Sequence, residues 1–290
     1  MNTAKSFIDY IWRIAFCTFV FAFGLVVSRL VLNSMGLTLP RLPQQADEST
    51  AVYYLLSGSV LLSLGLFSLA QKVKGAFLTR FLIVFLFFFA CFGISVSLES
   101  SIYSSAEGYD LMILVLLLPI ILFSFTSTSL TKSQSLTETF SQRSIRFFKS
   151  KVLGEWAWRV VLTILSFPLV YFVFGIIVSS FVVDYYRESS YGLTIPDFGT
   201  IVVVQLVRSL FFLLVTLPII IVWSGKKIQL VLLLGMAHFV IVFSYDIVLA
   251  YQLPVILVLI HAIEILFDSL VYSWVIVRLL YSEQPKFEQG

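Results

Sequence analysis

Residues 81–90 read FLIVFLFFFA, a stretch with no polar side chain on any face. A membrane β-strand alternates apolar and polar residues over ~10 positions, whereas a buried or membrane-spanning helix is apolar all round. The apolar character extends outward over residues 77–97. That length is close to the ~20 residues that a helix needs to cross a hydrocarbon core of ~30 Å. We therefore predict a transmembrane helix over residues 77–97.

The composition of the whole chain indicates the same class of protein. Of the 290 residues, 59% are hydrophobic and 12% are charged, and the mean hydropathy is +1.00. A soluble domain contains about 25% charged residues, and its fold could not bury so much apolar surface. The same numbers exclude a disordered chain, a collagen, a disulfide scaffold and a nucleic-acid-binding protein. Cys17 and Cys91 lie within apolar runs, which predicts neither a disulfide nor a metal cluster.

Runs of similar length predict an all-α, polytopic bundle of eight spans that forms a single membrane domain over residues 1–290. The predicted spans cover residues 11–32, 52–70, 77–97, 110–126, 157–183, 200–223, 228–248 and 254–280. The first run is too long for the apolar region of a cleaved signal peptide, so we predict that it is a permanent helix. The polar segments between the spans are too short to fold as separate domains.

Basic residues fall mainly on one side of this topology. If the N-terminus is inside, 15 of the 19 lysines and arginines lie on the inner side and 4 on the outer side. Cytoplasmic loops of membrane proteins carry such an excess. We therefore predict a multi-pass protein of the cell (plasma or inner) membrane, with both termini in the cytoplasm and the lipid bilayer as its surroundings.

Residues 127–155 form a basic cytoplasmic linker between the two halves of this topology. Ser135 and Glu138 fit a capping box, which predicts a short helix at the membrane interface. Arg143 would lie on the apolar face of that helix, which argues against an amphipathic character. The linker is predicted either to attract anionic lipid headgroups or to dock a partner protein.

The second span carries a face of small residues that predicts close packing against another helix, in the bundle or in an oligomer. Its members are Ser57, Gly58, Ser59, Ser63, Gly65 and Ser68.

The last three spans contain ionisable residues at depths where each one costs roughly 2.5–3.5 kcal/mol to insert. They are Arg208, His238, Asp246, His261, Glu264 and Asp268. At 100° per residue, four polar side chains of the eighth span share an arc of about 80°. This polar stripe consists of His261, Glu264, Asp268 and Tyr272, with Glu264 near the membrane midplane.

The charges of these residues do not balance. Arg208 can neutralise one carboxylate, and we predict a structural ion pair with Asp246. At least one carboxylate is left over, and such a group is poised between its protonated and ionised forms. We therefore predict a path for a proton, a cation or a substrate, lined by His238, His261, Glu264, Asp268 and Tyr272. In the alternative interpretation these residues are hydrogen-bonding contacts between helices, worth about 0.6 kcal/mol each.

Three functional hypotheses follow from this pattern. The first is a transporter or permease-like subunit that moves a small solute, a proton or a cation. The second is a non-catalytic membrane subunit or scaffold whose buried polar residues bind neighbouring helices, a partner subunit or a second copy of the chain. The third, an enzyme using His261 and Glu264, is the least favoured, because only H-x-x-E occurs rather than H-E-x-x-H. No sequence motif predicts a cofactor or a metal ion.

Overall fold

The computed structural model describes residues 3–37, 48–104, 111–132, 138–188, 192–250 and 253–281. These residues form ten α-helices and one π-helical segment. The helices are α1 (Thr3–Ser34), α2 (Glu48–Lys72), α3 (Phe77–Phe88), α4 (Ser95–Tyr103), α5 (Met112–Leu130), α6 (Phe140–Lys149), α7 (Leu153–Arg187), α8 (Phe198–Val222), α9 (Lys227–Leu249) and α10 (Val255–Leu280). The π segment, Phe89–Ile94, joins α3 and α4 into one continuous helix.

Eight of these helical stretches are long and apolar enough to cross a membrane, which confirms the predicted all-α bundle of about eight spans. The chain is therefore a multi-pass membrane protein. The third span, made of α3, the π segment and α4, runs from Phe77 to Tyr103 and is six residues longer than predicted. Which side of the membrane holds the termini stays a prediction.

The third span lies at the centre of the bundle, and it contains the most apolar stretch of the sequence. It contacts α2, α5, α8 and α9. Phe88 is fully buried and packs its ring against Phe21 of α1 and Phe123 of α5, at centroid distances of 5.7 and 5.5 Å. One face of the span stays exposed, with Leu78, Leu82 and Leu86 exposed by 63, 43 and 45%. The span is therefore apolar in all directions because most of its faces pack against helices and the remaining face meets lipid.

Arginines from other helices donate hydrogen bonds to the last backbone carbonyls of four spans. The bonds run from Arg80 to Val73 and Thr131, from Arg13 to Leu130, from Arg143 to Val222, and from Arg159 to Leu279. A helix C-terminus has unpaired carbonyls and a partial negative charge, and a guanidinium compensates both. All these helix ends lie on the predicted cytoplasmic side, so part of the arginine excess there caps helices.

The linker contains a helix whose start differs from the prediction. A capping box precedes α6, but it is formed by Thr139 and Gln142. Glu138 instead forms an ion pair with Arg146 on the next turns of the helix. Ser135, the other residue of the predicted box, lies outside the described residues.

Arg143 does lie on the apolar face of α6, as predicted, but it does not disturb the packing of that face. Phe147 on the same face is buried against the bundle. The Arg143 guanidinium reaches the carbonyl oxygen of Val222 at 3.4 Å, at the end of α8. Because the arginine has a buried acceptor there, the helix is amphipathic despite the charge.

The small residues of α2 pack against α9. A Cβ atom added at Gly65 would lie 2.8 Å from Cγ1 of Val240, and one added at Gly58 would lie 2.8 Å from the carbonyl oxygen of Ser244. Such distances are shorter than a carbon atom tolerates, so the two helices approach as closely as they do because these positions are glycine. This contact confirms the predicted packing face.

Replacing Gly65 with alanine is expected to lower the free energy of unfolding by about 1–3 kcal/mol, because the new methyl group overpacks the contact with Val240. Gly154→Ala is the matched control, since a Cβ atom at Gly154 meets nothing within 4 Å. Denaturant unfolding of the purified variants in detergent measures both changes. Equal stability of the two variants would contradict the close contact between α2 and α9.

Candidate polar site in the membrane

Arg208 of α8 is buried and donates to acceptors from two helices. Its Nε atom donates to Oγ of Ser95 at 2.7 Å, and its Nη1 atom donates to Oε1 of Gln205 at 2.9 Å. The same Nη1 atom forms an ion pair with Glu99 of α4. The guanidinium carbon also lies 5.3 Å from the ring centroid of Phe167. These contacts fix the arginine between the third span and α8.

The predicted ion pair of Arg208 with Asp246 is therefore wrong, because the structure pairs Arg208 with Glu99. The predicted third span ends at residue 97 and leaves Glu99 in a polar loop, whereas the helix continues to Tyr103. A signal was present, since residues 95–103 contain neither glycine nor proline. Asp246 lies instead where its charge interacts with that of His261.

The N-terminal part of the predicted stripe on α10 forms a connected group. The Nδ1 atom of His261 lies 3.0 Å from Oε2 of Glu264, and its Nε2 atom lies 3.2 Å from the hydroxyl of Tyr186 at the end of α7. Glu264 is 7% exposed and lies about 14 Å along α10 from Val255. This geometry connects a buried carboxylate of α10 to the C-terminal end of α7 through one imidazole ring.

The carboxylate of Glu264 lies against a glycine of α7. A Cβ atom at Gly175 would lie 3.6 Å from Oε1 of Glu264, which is ordinary van der Waals contact. The Oε1 atom thus faces the backbone of α7 while Oε2 faces His261. Glu264 is held at the interface of α7 and α10, away from the lipid.

Asp268 lies one helical turn further along α10 and is 8% exposed. Its Oδ1 atom is buried and has no hydrogen-bond partner among the described residues. A buried polar atom without a partner costs roughly 1–3 kcal/mol, and more when the group is charged. The carboxyl group is therefore suited to hold a proton or to coordinate a cation or a water molecule.

The C-terminal end of the stripe is a separate group. The hydroxyl of Tyr272 lies 3.1 Å from Oγ of Ser209. His238 of α9 places Nδ1 2.9 Å from the carbonyl oxygen of Leu234 and packs its ring against Phe212 and Tyr272. The structure thus brings His238 together with Tyr272, in an aromatic environment, rather than with His261 and Glu264.

Three tyrosines that were not predicted as site residues lie beside the site. The hydroxyls of Tyr103 and Tyr171 are 2.6 Å apart, and the ring of Tyr186 packs against that of Tyr103. The loop before α8 holds Tyr103 in place, because the amide of Thr194 donates to the Tyr103 carbonyl at 2.9 Å. Tyrosine is common at membrane interfaces, so its presence in the sequence gave no specific signal.

The ionisable groups that lie close enough here for their charges to interact, which we call the acid-rich cluster, come from five helices. They are Glu99 and Tyr103 of α4, Tyr171 and Tyr186 of α7, Arg208 of α8, Asp246 of α9, and His261, Glu264 and Asp268 of α10. Four carboxyl groups thus accompany one arginine and one histidine. The surplus of acid that the sequence indicated is larger once Glu99 is included.

Comparison of the chain with protein-family models, with curated proteins and with solved structures finds no match. The function of the acid-rich cluster must therefore follow from its own chemistry.

Proposed function

We propose that the chain is a transporter or permease-like subunit in which His261, Glu264 and Asp268 bind and release a proton or a small cation. The observation that carries this proposal is the unpartnered, buried Oδ1 atom of Asp268, one turn from the buried carboxylate of Glu264. Ionisable groups at such depth usually mark ion pathways or proton relays, because they are expensive to maintain for structure alone.

The two contacts of His261 provide a route for a proton from the side of Tyr186 to Glu264. A proton that binds at Nε2, on the side of Tyr186, converts His261 to an imidazolium. The proton on Nδ1 then passes to Oε2 of Glu264 across the 3.0 Å contact. The ring is left neutral with its proton on Nε2, and Glu264 is neutral as well. The net result is the movement of one proton from the outer side to mid-membrane.

The carboxyl group of Asp268 provides a binding step that can be coupled to this proton transfer. Two carboxylates one turn apart on α10 repel each other when both are ionised, so the state of one alters the proton affinity of the other. A cation that binds at Asp268 therefore favours loss of the proton from Glu264. This exchange couples the movement of a proton to the movement of a cation through the same site.

A second function is favoured by the contacts of Arg208 and Tyr272. Both side chains are buried, and their hydrogen bonds connect α8 to α4 and to α10. Contacts of this kind hold helices together without transport. In this alternative the chain is a non-transporting membrane subunit, and the carboxyl groups of α10 keep one protonation state at all physiological pH values.

Replacing Glu264 with glutamine distinguishes the proposed transport function from the structural alternative. In lipid vesicles, infrared difference spectra follow the protonation of buried carboxyl groups between about pH 5 and 8, the range in which histidine titrates. The parent protein is expected to show a titrating carboxyl band, and Glu264→Gln is expected to lose it. Proton uptake into vesicles under an imposed potential is expected to fall at least tenfold.

Asp184→Asn is the matched control, because Asp184 is an exposed carboxylate near the outer end of α7, paired with Arg187. It is expected to leave both the spectrum and the uptake unchanged. If Glu264→Gln matches the parent protein in both measurements, the proton- or cation-coupled site is lost and the structural alternative stands.

A further inference from the structure

The turn from α6 into α7 combines a buried aromatic side chain, exposed apolar side chains and basic side chains on one short segment. On α6, Phe147 faces the bundle and is buried. The side chains of Phe148, Val152 and Leu153 are exposed by 51, 74 and 85%. The helix that contains the fifth candidate span begins at Leu153, so these exposed apolar side chains lie next to a membrane-spanning segment.

The same segment carries a concentrated positive charge. Residues 138–159 contain five basic residues and two acidic ones, a net charge of +3, which equals the formal net charge of the whole chain. Both acids are engaged with arginines, Glu138 with Arg146 and Glu155 with Arg159. Lys149 and Lys151 add two further positive charges between these two ion pairs in the sequence.

Lys151 lies in a positive and partly dehydrated environment. Its Nζ atom is 4.9 Å from the ring centroid of Trp156. Burial and the nearby charge of Arg159 lower the pKa of Lys151, against the smaller opposite effect of Glu155. An anion at this position would gain from both cations and would relieve their mutual repulsion.

We propose that the α6–α7 turn is a binding site for the phosphate group of an anionic phospholipid, held by Lys149 and Lys151. The exposed apolar side chains favour a lipid over a soluble phosphate as the ligand. Phe148, Val152 and Leu153 need an apolar environment beside the phosphate, and only a lipid brings acyl chains to that position. The site is independent of the acid-rich cluster and of the function proposed for it.

The test uses the full-length protein in bilayer nanodiscs of phosphatidylcholine with a quarter share of phosphatidylglycerol. Native mass spectrometry counts the phosphatidylglycerol molecules that stay bound and gives an apparent Kd. Each basic residue near an anionic surface contributes about 1 kcal/mol, so the double variant Lys149→Gln, Lys151→Gln is expected to raise the Kd up to about 30-fold. Free inorganic phosphate is expected not to compete.

The matched control is the double variant Lys226→Gln, Lys227→Gln, which removes the same charge from the loop between α8 and α9. It is expected to change the Kd by less than about threefold, because a diffuse surface charge is screened by salt. Equal losses in the two double variants, no loss in either, or competition by inorganic phosphate would each overturn the proposal. If the first variant is unstable in pure phosphatidylcholine, Phe148→Ser is measured in its place, with the same expected direction.

Discussion

Replacing Arg208 with methionine is expected to lower the free energy of unfolding by about 3–5 kcal/mol. The substitution keeps most of the side-chain volume but leaves the carboxylate of Glu99 without its cation, and an unpaired charge inside the protein is strongly destabilising. Ser95 and Gln205 lose the same hydrogen-bond donor. Chemical unfolding in detergent, followed by circular dichroism, measures the change.

A double-mutant cycle identifies the partner of the arginine. Glu99→Gln removes the carboxylate charge that Arg208→Met leaves unpaired. The double variant is therefore expected to recover at least half of the stability that Arg208→Met loses. Asp246→Asn is the matched control, a second carboxylate of the acid-rich cluster that does not pair with Arg208 in the structure. Recovery with Asp246→Asn and none with Glu99→Gln would contradict the observed pairing.

Replacing Arg80 with methionine is expected to lower the free energy of unfolding by about 2–4 kcal/mol. Arg80 is 2% exposed and donates to the carbonyl oxygens of Val73 and Thr131, which end α2 and α5. Hydrogen bonds from a charged donor are worth roughly 1.5–3 kcal/mol, and their loss leaves two helix ends uncapped. Thermal unfolding in the same detergent records the loss.

Two further substitutions test this explanation of the Arg80 effect. Arg80→Lys keeps the charge but not the planar fork that reaches both carbonyls, so it is expected to have an intermediate effect. Lys132→Met removes a neighbouring exposed charge and is expected to change stability by less than about 0.5 kcal/mol. If all three variants are equally stable, the capping role of Arg80 is refuted.

The eight spans could be predicted from the sequence because each is a run of apolar residues of the length that a bilayer requires. The end of the third span could not, since hydropathy falls at Ser97 while helical hydrogen bonding continues to Tyr103. Hydropathy records the preference of side chains for lipid, whereas Glu99 and Ser100 at this end of the span are paired by side chains of other helices. Glu99 was missed for this reason.

Contacts within one helix were predictable, and contacts between helices were not. His261 and Glu264 are three residues apart on α10, and this spacing alone brings their side chains together. The partner of Arg208 depends on the rotation of one helix against another, which no local pattern encodes. The acceptor of Arg143 could not be predicted for the same reason, because it belongs to a different helix, α8.

The π segment determines which way Glu99 points relative to Arg208. At its end the amide of Ser95 bonds to the carbonyl of Ala90, five residues earlier instead of four, so the turn contains one extra residue. Without that residue, the helix beyond it would be rotated by about 100° and Glu99 would point elsewhere. A homologue with a one-residue deletion here would have to carry its acid at a shifted position.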